Sequence, residues 1–218
     1  MMSQQSTDQS RGTPRLYLVT PPVSDVAFTA LLADALDAGD VAAVLVRLPH
    51  ANEEVLINHV KALAAPIQEK GAALLIDGHP EIVVRSGADG SHVTGIDPLS
   101  TALSKLKPTY IVGAGGLTSR DDAMRAGEAG VDYVMFGERN PEGHRPAWQA
   151  IAERVAWWVE LFVVPCVAYA GNLDEIAPLS AAHADFIAIG SAVFSDPRGP
   201  RAAVSDAIAR VGVAETTA

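Results

Sequence analysis

The chain has 218 residues, enough for one sizeable hydrophobic core, and α/β barrels run to this length as a single domain. Hydrophobic residues make up 49% but aromatic ones only 6%, so the core has to be assembled from Ala, Val, Leu and Ile, as in buried parallel strands rather than an all-β sandwich. A net charge of -10 with no basic stripe excludes a nucleic-acid binder, whose affinity comes from neutralising phosphates, while leaving open a small anion held by a few arginines and backbone amides.

Residues 1–14 are polar and without apolar period, and they are expected to form a disordered arm. Nothing there has the apolar run of a signal peptide, no later segment has the roughly 20 apolar residues of a membrane span, and the single cysteine, Cys166, has no internal disulfide partner. A cytoplasmic protein without membrane association follows from this reading, with Cys166 an inert core residue in the apolar run Val163-Val164-Pro165-Cys166-Val167.

From Arg15 onward short apolar runs alternate with segments of helical period, the pattern of repeated βα units around a parallel sheet. Strands are predicted at 15–20, 42–47, 73–76, 90–93, 110–113, 133–137, 165–168 and 186–190. Helices are predicted at 24–38, 52–70, 80–86, 99–106, 119–129, 146–162, 172–182 and 199–211. Eight such units predict one (β/α)8 barrel over 15–211, with 212–218 a flexible tail. An open doubly wound sheet is less suitable, because Val19-Thr20-Pro21-Pro22 stands after the first strand where a glycine-rich dinucleotide turn belongs.

Local chemistry supports the same units. Ser119 followed by Asp122 reads as a capping box at the start of the fifth helix, and Gly130 as its stop. Gly87-Ala88-Asp89, Gly130-Val131-Asp132 and His183-Ala184-Asp185 repeat one turn before three strands, and their aspartates are expected to satisfy loop amides on the face of the barrel that serves stability. Trp157 and Trp158 differ by about 100 degrees around the sixth helix, so one is expected to pack on the barrel and the other to be exposed, at a subunit contact in a homodimer, or else to share the core.

In a closed barrel the loops after the strands form the reaction face, and phosphate commonly binds after strands seven and eight. Those loops read Ala170-Gly171-Asn172 and Ile189-Gly190-Ser191-Ala192. Gly171 and Gly190 let backbone approach an anion, and Ser191 adds a hydroxyl at the start of a short helix, so these three are the candidate phosphate-binding residues. His79, in the loop after strand three, is a candidate for acid–base work, and His144 for anion binding, whereas His92 within strand four reads as a hydrogen-bonded barrel residue.

Leu16-Tyr17-Leu18-Val19-Thr20, Gly87-Ala88-Asp89-Gly90-Ser91-His92-Val93, Val131-Asp132-Tyr133-Val134 and Ala184-Asp185 through Gly190-Ser191 together resemble the thiamine phosphate synthase and TenI family over residues 15–210. The resemblance implies a barrel that joins a pyrimidine diphosphate to a thiazole phosphate, releasing pyrophosphate with the help of Mg2+. It implies roles for Arg47 in the diphosphate motif, Asp97 as metal carboxylate, and Gly171, Gly190 and Ser191 in the phosphate loops. Arg145 keeps the positive charge of the family's loop after strand six and, with Arg47, is matched to the diphosphate.

Departures from the pattern are several. The arginine motif has become Leu45-Val46-Arg47-Leu48-Pro49, and Asp77-Gly78 stands for the family's Asn-Asp, which leaves Asp77 as a displaced metal or substrate carboxylate. Gly115 and Leu117 occupy the family's Ser and His positions, with Thr118 adjacent on the substrate loop, and Glu142 opposes phosphate where a threonine is usual. Three readings stay open on this basis: a synthase, a TenI-like thiazole phosphate isomerase, and a catalytically depleted barrel that binds a phosphorylated metabolite.

Overall fold

The computed structural model describes residues 12–22, 27–140 and 143–213. Eight strands, β1 (Arg15–Val19), β2 (Val41–Val46), β3 (Ala73–Asp77), β4 (Gly90–Thr94), β5 (Ile111–Gly115), β6 (Tyr133–Phe136), β7 (Cys166–Ala170) and β8 (Phe186–Ile189), close into one parallel barrel in chain order, β8 pairing back onto β1. Helices α1 (Ala27–Leu36), α2 (Glu53–Gln68), α3 (Val83–Ser86), α4 (Leu99–Leu106), α5 (Arg120–Glu128), α6 (Trp148–Leu161), α7 (Ile176–Ser180), α8 (Ser191–Phe194) and α9 (Pro200–Val213) alternate with them. The eight-unit barrel expected from the alternation of apolar runs is the fold observed. The third helix is shorter than its period suggested, the seventh opens with a 3-10 turn, Leu173–Glu175, and the last runs two residues past 211. Residues 1–11 of the arm expected over 1–14, the helical start at 24–26, Glu142, and residues 214–218 of the tail expected over 212–218 lie outside the described residues.

Every strand is covered on both faces, which explains why the strands read as continuous apolar runs rather than alternating ones. One cluster fills the barrel interior, from Tyr17 and Val19 on β1 through Ala43, Leu45, Leu75, Tyr133, Met135 and Val167 to Ala188 on β8. The neighbours of these residues point outward and pack under the helices, as Leu16, Leu18, Val44, Leu74, Ile76 and Val134 do. Alternation with a period of two therefore assigns each residue beyond a strand end to the axis or to the helix layer.

The recurring aspartates serve the barrel's N-terminal face. Asp89 accepts from the Leu74 amide at 2.7 Å, Asp132 from Val112 at 2.7 Å and Asp185 from Cys166 at 2.8 Å, each satisfying the strand before its own. The three turns hold their first residue in the left-handed region, at φ 79° for Gly87, 92° for Gly130 and 64° for His183, which is why glycine serves twice. The capping box at Ser119 forms as the sequence predicts. Trp158 is fully buried, donates to the Val164 carbonyl at 2.7 Å and stacks on Phe162, while Trp157 is half-buried beneath the Arg120 guanidinium. No helix among the described residues is long and apolar enough to cross a membrane.

Candidate active site

Arg47 and Asp77 continue the inward parity of Leu45 and Leu75, so the C-terminal ends of β2 and β3 place both side chains toward the mouth of the barrel. The Arg47 amide donates to the Thr20 hydroxyl at 3.0 Å, and its Nε donates to Asp77 Oδ2 at 3.3 Å. The pair is partly exposed, 35% and 28% for the two side chains, so the guanidinium is oriented without being used up. The sequence-predicted diphosphate cation and the displaced carboxylate are thus each other's partners.

Behind them a polar chain crosses the interior. Tyr17 and Tyr133 share a hydrogen bond at 2.8 Å between their hydroxyls, Tyr133 Oη meets His92 Nδ1 at 2.9 Å, and His92 Nε2 lies 3.3 Å from Glu138 Oε2. The same carboxylate oxygen accepts from the Gly116 amide at 2.9 Å. Burial opposes charge on His92, but the Glu138 carboxylate and its hydrogen bond outweigh it and hold the imidazole pKa above its ordinary value. For Glu138 burial likewise favours the neutral acid, and His92 with the Gly116 amide overcomes it, so its pKa lies below the usual range. Burial pushes both tyrosines far above theirs, so they stay neutral.

Glycines on β5 make room for this chain. A Cβ at Gly113 would overlap the Tyr133 phenol, and one at Gly115 would overlap Glu138 and His92. His92 is the hydrogen-bonded barrel residue expected. Glu138 was not singled out from sequence, since it directly follows the sixth strand predicted at 133–137 and no motif marks it. Its available signal was the missing side-chain volume at 113 and 115, beside a histidine on the neighbouring strand.

Arg145, matched by resemblance to the diphosphate, is nearly buried and its fork is occupied. Nε donates to the Gly137 carbonyl at 3.0 Å, Nη2 to the Tyr169 carbonyl and, at 2.7 Å, to Glu175 Oε2. Glu175 Oε2 also accepts from the Gly171 amide at 2.7 Å. Gly190 packs closely against protein atoms: a Cβ there would lie 2.6 Å from the Tyr169 hydroxyl and 3.0 Å from the Val19 carbonyl. Ser191 is exposed at the start of α8. Gly171 directly follows β7 and Gly190 and Ser191 directly follow β8, and the Gly171 amide is held by an internal carboxylate.

Two cavities open over the loops after β4 and β5, the larger reaching β6 and Arg145, and Arg47, Asp77, Gly171, Gly190 and Ser191 line neither of them. The larger, of about 760 Å3, is lined by Leu117, Met135, Phe136 and Ile151 as apolar walls and by Glu138 and Arg154 among its polar groups; Thr118, His144 and Arg145 also border it. Its size and mixed lining suit a small organic ligand with a few polar anchors. The smaller, of about 330 Å3, is lined by Asp97, Thr118, Asp122 and Arg125. Thr118 borders both and donates to Asp122 at 3.0 Å, and the His144 amide donates to Asn140 at 2.7 Å. His79 lies apart, in the left-handed region at φ 52°, with its Nδ1 3.0 Å from exposed Glu81.

Asp97 lines the smaller of these two cavities and Asp77 neither, and no group of three or more His, Cys, Asp or Glu among the described residues has the arrangement to hold a metal ion. The donor set thus does not fit a resident Mg2+. It suits only an ion carried in on a diphosphate, which needs one or two protein carboxylates.

A closed eight-stranded parallel barrel with its cavities at the C-terminal ends of the strands is a (β/α)8 barrel of the architecture whose reaction face lies at that end. Residues 16–193 match the family model described as thiamine monophosphate synthase, and the chain belongs to that family. It is 44% identical to a thiamine-phosphate synthase of Rhodospirillum centenum, over 88% of this chain and 95% of that one. It is 40% identical to a thiamine-phosphate synthase of Hyphomonas neptunium, over 91% and 94%. Among solved structures, the thiamine phosphate pyrophosphorylase from Pyrococcus furiosus shares the fold with a TM-score of 0.78 at 24% identity, over 94% of this chain and 98% of that one.

Proposed function

We propose that this protein couples a hydroxymethylpyrimidine diphosphate to a thiazole phosphate. The bond between the pyrimidine methylene carbon and the diphosphate oxygen breaks, its electron pair leaving with pyrophosphate, and the thiazole nitrogen lone pair forms the new carbon–nitrogen bond. The observation that carries this reading is similarity to thiamine-phosphate synthases over nearly the whole of both chains.

The mouth geometry supports assigning roles. Arg47, aimed by Asp77 and the Thr20 hydroxyl, meets the leaving diphosphate as a fork donor. The 760 Å3 cavity receives a ring against Leu117 and Met135, with Thr118 and His144 at its border. Gly190 and Ser191 hold the second phosphate, Gly171 supplying a further amide. Asp97 would be the carboxylate to hold an Mg2+ brought in on the diphosphate, where the ion would offset the charge of the leaving group. Arg145 ties the loops after β6 and β7 together through the Gly137 and Tyr169 carbonyls, beside Gly171, and His79 remains a substrate-loop residue. Exposed Leu161 and Val163 beside half-buried Trp157 support a homodimer, which sedimentation equilibrium reads directly.

Purified protein given both substrates and Mg2+ is expected to release pyrophosphate and form thiamine phosphate, and Arg47→Ala is expected to lower kcat by about 10²–10³, the usual cost of one transition-state donor. Absence of turnover, under conditions where an active synthase works, overturns this reading. One observation favours a second: the Gly171 amide and Arg145 are already held by Glu175, as in a depleted barrel that only binds a phosphorylated metabolite. That reading expects thermal stabilisation by thiamine phosphate without pyrophosphate release.

A further inference from the structure

Two residues matched to two different phosphates, Arg145 and Gly171, are joined to each other by one internal carboxylate. Glu175 Oε2 accepts from the Gly171 amide at 2.7 Å and from Arg145 Nη2 at 2.7 Å, while Oε1 accepts from Arg145 Nη1 at 3.3 Å and from Asn172 Nδ2 at 3.4 Å. A backbone amide and a guanidinium fork are the donors by which proteins hold phosphate oxygens. The Glu175 and Arg145 side chains are only 14% and 11% exposed, so the carboxylate lies within the notch rather than at its rim.

The sequence builds this arrangement locally. Asn172 accepts from the Asp174 and Glu175 amides at 2.9 and 3.2 Å, which winds Leu173–Glu175 into a 3-10 turn and directs the Glu175 side chain back over Gly171. Space there is tight. A Cβ at Gly171 would stand 3.0 Å from Arg145 Nη1 and 3.4 Å from Glu175 Oε2, so a phosphoryl oxygen reaching the Gly171 amide has to take the place of the carboxylate.

We propose that Glu175 is a built-in competing anion, which occupies the Gly171 and Arg145 half of the phosphate notch and lowers the affinity of this site for phosphorylated ligands. A bound phosphoryl group displaces the carboxylate, exchanging one anion for another on the same donors. If the carboxylate stays, the ligand is confined to the Gly190 and Ser191 half. This inference rests on the reading that a phosphoryl group binds at the loops after β7 and β8.

The test is calorimetric titration of the full chain and its Glu175→Gln and Glu175→Ala variants with inorganic phosphate, alongside Ser191→Ala. The glutamine is nearly isosteric and removes the charge, so it covers the case in which alanine fails to fold. Both Glu175 variants are expected to bind phosphate at least tenfold more tightly than the parent, a gain that loss of a merely structural contact would not produce. Unchanged or weaker binding in Glu175→Gln, with Ser191→Ala still weakening the parent, overturns the competing-anion role and leaves the phosphate site standing. Absence of phosphate binding in the parent and in every Glu175 variant overturns both.

Discussion

Glu138→Gln isolates the charge on the buried pair at the centre of the barrel. The glutamine keeps an oxygen for the Gly116 amide but leaves the fully buried His92 without its counterion. Removing one member of a buried ion pair costs about 3–5 kcal/mol, and retention of the amide contact reduces the expected loss to about 2–4 kcal/mol. In a domain of this size each kcal/mol moves Tm by about 2–4 °C, so a fall of about 4–16 °C is expected.

The loss also has a defined pH course. His92 titrates above its ordinary 6.5, so its share of the stability is complete below 6.5 and disappears as pH rises through the raised value. Glu138 titrates below its ordinary 4.5, so its share is present above 4.5 and disappears as pH falls through the lowered value. The difference between parent and variant is therefore largest between these limits and shrinks on both sides. Urea unfolding of both proteins from acid to alkaline pH measures it, and a difference that stays flat across the range would refute an ionised pair.

Other perturbations test the remaining parts. Gly113→Ala drives a methyl into the Tyr133 ring, whose hydroxyl is held from two sides, and overpacking of about 1–3 kcal/mol plus a broken buried hydrogen bond should appear as a sharply lower Tm. Asp89→Ala strands the Leu74 amide at the other end of the barrel, so thermal unfolding should show about 1–3 kcal/mol lost while kcat and KM are unchanged. Arg145→Lys cannot serve the Gly137 and Tyr169 carbonyls and Glu175 together. Faster proteolysis of the loops after β6 and β7 is expected, and parent-like resistance would argue against the tie.

The barrel was legible because its determinants are local or periodic. Apolar runs at regular spacing give eight strands within a residue or two of those observed, and the Gly or His turn followed by Asp marks the N-terminal face. The mouth loops were legible as a location for the same reason, since chain order in a barrel fixes where each loop emerges. Arg47 and Asp77 could be named as charged residues at strand ends, whereas their pairing depends on inward parity at equivalent heights of β2 and β3.

By itself the sequence determined the fold, the family and the face on which chemistry belongs, because hydrophobic period, turn residues and unit order act over short stretches of chain. Only the tertiary structure decided what the charges do. Glu138, an ordinary loop residue by composition, is buried against a histidine 46 positions earlier, and Glu175 reaches the guanidinium of Arg145 across 30 positions. Electrostatic partnership depends on distance and burial in space, which closure of the barrel sets and linear order does not encode.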